Sequence, residues 1–180
     1  MIIYKCRFTG DEMCSDAFKP RPVVDNGEEI PGLFQIDSMK VNKDTGGAVD
    51  IGCGNEFGGG DADLDDGAEL VNNVIDETVG FNLQEVPMGK KDLKEYLGGY
   101  CKALRQKLKD DDKVAGPDVK KFTQSAPIFC KWLLGKYSEL QFYTTPSMDP
   151  DGSMAFAFYE GANVNPSFIY IEKGLLEEKC

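Results

Sequence analysis

The apolar period changes twice along this 180-residue chain, and those changes fix its fold class before any single residue is weighed. The opening segment carries short apolar runs broken by turn formers. Met1 to Phe8 reads as a strand, Thr9-Gly10-Asp11-Glu12 as a turn, and Glu28 to Asp37 as an extended stretch interrupted at Pro31-Gly32. Val79, Phe81 and Leu83 alternate with Gly80, Asn82 and Gln84, a half-buried strand pattern. The period then lengthens. Leu93, Tyr96, Leu97, Tyr100, Cys101, Leu104 and Leu108 recur at three- and four-residue steps, which predicts one face of a helix of about five turns. Asp110-Asp111-Asp112 and Ala115-Gly116 end it. Pro117 and Asp118 suit the first turn of a second helix, with a buried stripe of Val119, Phe122, Ala126, Phe129 and Leu133, and Pro127 on its polar side. Trp132 is expected to join Phe129 in the core of the hairpin. From Leu140 the period returns to two: Leu140–Thr144, Met154–Tyr159 and Phe168–Ile171 read as strands, the first two joined by the turn Asp149-Pro150-Asp151-Gly152.

The expectation is one mainly β domain of α+β class. Residues 1–43, 70–87 and 137–180 form a β body, 88–136 an inserted helical hairpin, and 44–69 a long flexible acidic loop. That loop holds eight glycines, eight acids and neither lysine nor arginine, so little apolar surface is left to offset its ordering entropy.

Charge follows the same division. Residues 88–136 hold 12 Lys/Arg and 6 Asp/Glu, a net of +6, within a chain whose net charge is −11. The hairpin is therefore expected as a basic arm projecting from an acidic body. Lys91, Lys94, Lys102, Arg105, Lys109 and Lys113 lie opposite the first helix's apolar stripe, as candidate contacts for an acidic partner such as a tubulin tail. The overall charge disfavours nucleic acid as a partner.

Residue types narrow the chemistry. There is no histidine, which removes Ser-His-Asp and Cys-His nucleophiles and every His-bearing metal site. The six cysteines are never closer than eight residues, so no C-x-x-C exists for zinc, and no zinc is expected. No apolar run approaches the roughly 18 residues of a membrane span, and no secretory signal is read, so the chain is expected to be reduced, cytoplasmic and monomeric. Cys180, the last residue, could link two chains by an intermolecular disulfide.

Asp61, Asp63, Asp65 and Asp66 invite a calcium reading. Counting from Asp61, the loop's first, third and fifth positions fit, but Asp66 replaces the glycine and Asn72 the bidentate glutamate, leaving at most a weak Ca²⁺ site. Nothing assembles a nucleophile, a base and an oxyanion hole, so the residue chemistry points to a binding module, with no catalytic residue and no obligatory cofactor.

Several short motifs then fall in a familiar order: Met1-Ile2-Ile3-Tyr4, Asp11-Glu12-Met13-x-Ser15-Asp16, Ile51-Gly52-x-Gly54-Asn55, Leu83-Gln84-Glu85, Pro117-x-x-Lys120-x-Phe122, Gln141-Phe142-Tyr143, Met148-Asp149-Pro150-Asp151-Gly152 and Gly174-Leu175. Together they resemble the translationally controlled tumour protein family nearly end to end. The resemblance implies a β-tent body similar to the chaperones of Rab GTPases, carrying the helical hairpin. It further implies a cytosolic protein of many partners that binds calcium, associates with microtubules through the hairpin, and has growth and anti-apoptotic roles. As an alternative it implies nucleotide-exchange activity or chaperoning toward a Rheb-like small GTPase, with Glu12 as the contact residue.

Overall fold

The computed structural model describes residues 1–43 and 69–179. The chain runs β1 (Ile2–Cys6), β2 (Glu12–Ser15), β3 (Arg21–Asp25), β4 (Glu28–Asp37), β5 (Lys40–Asn42), β6 (Leu70–Asn72), β7 (Gln84–Val86), α1 (Lys90–Asp110), α2 (Gly116–Gly135), β8 (Gln141–Thr144), β9 (Met154–Phe158), β10 (Ser167–Ile171) and β11 (Leu175–Lys179). The strands form a six-stranded sheet of order β3-β4-β10-β9-β8-β7, a three-stranded sheet β11-β1-β2, and the pair β5-β6. All pairings are antiparallel. The fold is thus β-rich α+β, as the changes of period predict.

The large sheet is covered on both faces, and alternation along its strands shows how. In β10, Ile169 and Ile171 join the cluster that contains the helices, whereas Phe168 and Tyr170 join the second cluster beneath the three-stranded sheet. In β9, Met154 and Phe156 face one way and Ala155 and Ala157 the other; in β8 Phe142 and Tyr143 divide likewise. Side chains two apart share a face, so near-continuous apolar runs in these central strands mean burial on both sides. The second cluster is closed by Cys6, Met13, Cys14 and Leu175 of the small sheet, and the Tyr170 hydroxyl donates to the Met13 carbonyl at 3.1 Å.

The helical hairpin supplies the other cover. Leu93, Leu97, Leu104 and Leu108 of α1 and Phe122, Phe129 and Leu133 of α2 are buried in one cluster with Leu33, Phe142, Phe156 and Ile169 of the sheet. This corrects the expectation of a projecting arm: periodicity identifies an apolar face but not its cover, and here the cover is the sheet itself. Three polar links fix the seat. The Tyr96 hydroxyl donates to the Gly152 carbonyl at 2.8 Å, and the Tyr137 hydroxyl to the Met88 carbonyl at 2.6 Å. Arg7 donates to Asp111 at 3.0 Å and to the Lys173 carbonyl at 2.9 Å, tying the hairpin tip to the ends of the small sheet. Trp132 lies at the junction with the body rather than wholly inside the hairpin, its indole N–H donating to Asp25 at 2.8 Å.

Two local expectations change. The Pro31-Gly32 interruption is a bulge within β4: Val23 pairs with Ile30 and Pro22 with Phe34, so the residues between lie opposite no residue of β3, while Leu33 still pairs with Ile171 of β10. Gly32 adopts φ +83°, and a Cβ there would come within 2.8 Å of the Phe129 ring, so only glycine lets β4 bend under α2. The strand expected over Val79–Leu83 is a turn. The Asp76 carboxylate accepts from the N–H groups of Thr78 at 2.7 Å and Val79 at 3.0 Å, Asn82 takes φ +54°, and pairing starts only at Gln84. A side chain that captures backbone N–H groups competes with the ladder and defeats a period-two pattern. No helix is long and apolar enough to cross a membrane among the described residues.

Candidate functional site

The hairpin carries an open groove of about 560 Å³ between α1 and α2. Leu97, Cys101, Phe122, Ala126, Cys130 and Leu134 line its apolar part, and Lys94, Lys102, Arg105 and Lys109 stand around it with Gln106 and Thr123. The spacing is a property of α1: residues 94, 102, 105 and 109 fall beside the stripe of Leu97 and Cys101 rather than opposite it. Its lining contains no carboxylate. Pro127 of α2 lies at the groove and is exposed.

Four of the six predicted cations are therefore brought together, and two are not. Lys91 sits in the first turn of α1 and Lys113 in the connection after it, both exposed and neither at the groove. None of the six is within ion-pair distance of an acid among the described residues. The cations that are so engaged lie elsewhere: Arg7 with Asp111, Arg21 with Asp37 and Glu160, Lys43 with Glu69, Lys136 with Asp25 and Glu139, and Lys5 with Glu178. Lys107, exposed, sets its ammonium 5.3 Å from the centre of the Phe8 ring.

Glu12 is exposed at the start of β2, opposite Lys5 across the ladder. It lies apart from the groove. Asp61, Asp63, Asp65, Asp66 and Cys180 fall outside the described residues, and no group of three or more metal-ligating side chains occurs among the described ones.

The carboxylates with displaced pKa values all move one way. A hydrogen bond from Trp132 lowers Asp25, one from Arg21 lowers Asp37, and backbone N–H donors lower Asp76 and Asp111. Asp11 is lowered by hydrogen bonds from Ser147, Thr145 and Thr9, against a desolvation effect that alone would raise it. These are carboxylates held ionised by structure, the opposite of an acid tuned toward neutrality for proton transfer.

A further feature, outside the apolar pattern, lies in the groove. The Cys101 and Cys130 sulfurs are 3.4 Å apart, both half-buried and both free thiols. The signal was present: the two residues stand fourteen positions either side of Ala115-Gly116, where the hairpin turns, so an antiparallel register sets them level.

Comparison with known proteins agrees with this architecture. The family model described as "Translationally controlled tumour protein" matches residues 1–176. The translationally-controlled tumor protein homolog of Saccharomyces cerevisiae is 35% identical over 179 residues, covering 99% of both chains. That of Theileria annulata is 31% identical over 182 residues, again with 99% of each chain covered. The solved structure of the translationally controlled tumor-associated protein of Schizosaccharomyces pombe covers 100% of both chains at 30% identity with a TM-score of 0.72. With the motifs, the two-faced sheet and the seated hairpin in agreement over the whole length, the chain belongs to the translationally controlled tumour protein family.

Proposed function

We propose that this protein is a non-enzymatic cytosolic binding protein that receives acidic protein surfaces in the groove between its two helices, with the acidic tails of tubulin on microtubules as the partner. One observation carries the reading: four cations stand around an apolar groove that no carboxylate lines, and no described acid is paired with them. Cations already paired within the molecule would have little to offer an incoming carboxylate; these remain available, and the apolar lining adds contact area. The displaced carboxylates fit this reading, since they serve structure.

Co-sedimentation with polymerised tubulin tests it. The bound fraction falls as salt rises, because exposed charges separated by more than about 10 Å are screened at 0.1 M ionic strength. Reversing Lys102 and Arg105 together to glutamate weakens binding at least about tenfold, as loss of complementary charge does at other interfaces. Reversal of Lys91, which is off the groove, has a smaller effect. Equal binding by the double variant, with an unchanged circular dichroism spectrum, would reject the reading.

A further inference from the structure

We propose that Cys101 and Cys130 form a dithiol oxidation site in the groove, closing to an interhelical disulfide when a peroxide is the oxidant. The site is independent of whether an acidic partner docks above it.

Geometry carries the inference. The two sulfurs lie 3.4 Å apart on neighbouring antiparallel helices, so a disulfide of about 2.05 Å needs an approach of roughly 1.4 Å, within the reach of side-chain rotation. Both sulfurs line an open groove that a small oxidant can enter. The remaining described cysteines differ in kind. Cys6 and Cys14 are fully buried, and burial pushes the Cys14 thiol up to about 12. Nucleophilic attack requires a thiolate and access; Cys6 and Cys14 lack access, whereas Cys101 and Cys130 line the groove and Cys130 is the thiol whose pKa is lowered.

The pair also divides the labour. The hydrogen bond between the two sulfurs lowers the Cys130 thiol and raises that of Cys101. The surrounding Lys94, Lys102 and Arg105 favour an anion in the groove. Cys130 thiolate attacks one peroxide oxygen, the O–O bond breaks, and Cys130 becomes a sulfenic acid while hydroxide leaves and takes up a proton as water. The Cys101 sulfur then attacks the Cys130 sulfur, the S–O bond breaks, the S–S bond forms, and the departing hydroxide combines with the Cys101 proton as a second water. Two thiols lose two electrons in all, and one peroxide is reduced to two waters.

The test uses the full, reduced chain. It is treated with one equivalent of hydrogen peroxide under native conditions, remaining thiols are alkylated, and the protein is digested with trypsin without reduction. The expected product joins the peptide 95–102 to the peptide 122–131 and is lighter by two hydrogens than the two reduced peptides together. It forms at least about tenfold faster than modification of Cys6 or Cys14, the two buried thiols. In Cys101→Ser, Cys130 is trapped by dimedone as a sulfenic acid; in Cys130→Ser, Cys101 stays reduced over the same time. A Cys53→Ser/Cys180→Ser variant retains the linkage and runs as a single chain on a non-reducing gel, which separates it from any bond between chains. Recovery of both Cys101 and Cys130 as alkylated thiols after the peroxide is consumed would overturn the proposal. So would a linkage that forms as readily in denaturant as in the folded protein.

Discussion

Gly174 is buried just before the last strand of the small sheet, close to Tyr100 of α1. Its carbonyl accepts from the Ser153 hydroxyl at 3.1 Å, and that hydroxyl is 2.7 Å from the Tyr100 hydroxyl. A Cβ at Gly174 would collide with the Tyr100 oxygen, so the absence of a side chain is what lets the three groups meet. Burial pushes the Tyr100 phenol up, which keeps it neutral as a hydrogen-bonding group. Gly174→Ala should therefore lower unfolding free energy by about 1–3 kcal/mol, the usual cost of overpacking a filled interior. Urea denaturation measures it; an unchanged midpoint would show that the junction has slack. Gly174-Leu175 stands out in the sequence only as a motif; the contact is not legible there, because a glycine required by a neighbour's hydroxyl looks like any other glycine. Gly32 was legible in part: Pro31-Gly32 marks an interruption, but only the ring of Phe129 explains why a bulge is tolerated there.

Among the elements, α1 and α2 are the most legible. Their stripes repeat over about four turns each and their ends carry local signals: Asp92 accepts from the Gly89 N–H at 3.1 Å, and Pro117 occupies the first turn of α2. The turn at 76–83 was illegible for the opposite reason, since one carboxylate outweighs three alternating apolar residues. The register between the helices was legible in part: the equal spacing of Cys101 and Cys130 about Ala115-Gly116 sets them level, but not which face of the hairpin they share. The fastening of α2 to β3 lends itself to a pH experiment. Asp25 accepts from the Trp132 indole at 2.8 Å and lies 3.5 Å from the Lys136 ammonium. The indole hydrogen bond holds its pKa below the ordinary 3.8. A carboxylate lowered by folding stabilises the fold fully above its unfolded value and loses that contribution as pH falls through the folded one. Emission from Trp132, the single tryptophan, should stay constant down to the ordinary carboxylate range and change below it. Asp25→Asn should remove that component of the acid titration, because an amide does not ionise. A titration curve identical in the two proteins would place the change at another carboxylate.

At the scale of the whole molecule, separation of charge was readable from composition, whereas attachment of the hairpin was not. The segment that carries the excess of cations also forms one wall of the core. Its removal would expose Leu33, Phe142, Phe156, Ile169 and Ile171, each worth about 1.5–3 kcal/mol when buried. That sum is comparable to the 5–15 kcal/mol by which a typical domain is stable. A chain lacking residues 88–136 should therefore fail to fold cooperatively, and calorimetry should show no sharp transition. A well-folded remainder would mean that the hairpin is an appendage after all.

With one side of the main sheet roofed by helices and the other floored by a smaller sheet, the described strands keep no broad surface for a guest molecule. Among the described residues, what is left to meet a partner is the strand borders, the connecting segments and the outward backs of two helices. A surface of that kind suits brief, charge-guided encounters with large partners better than engulfment of small ones.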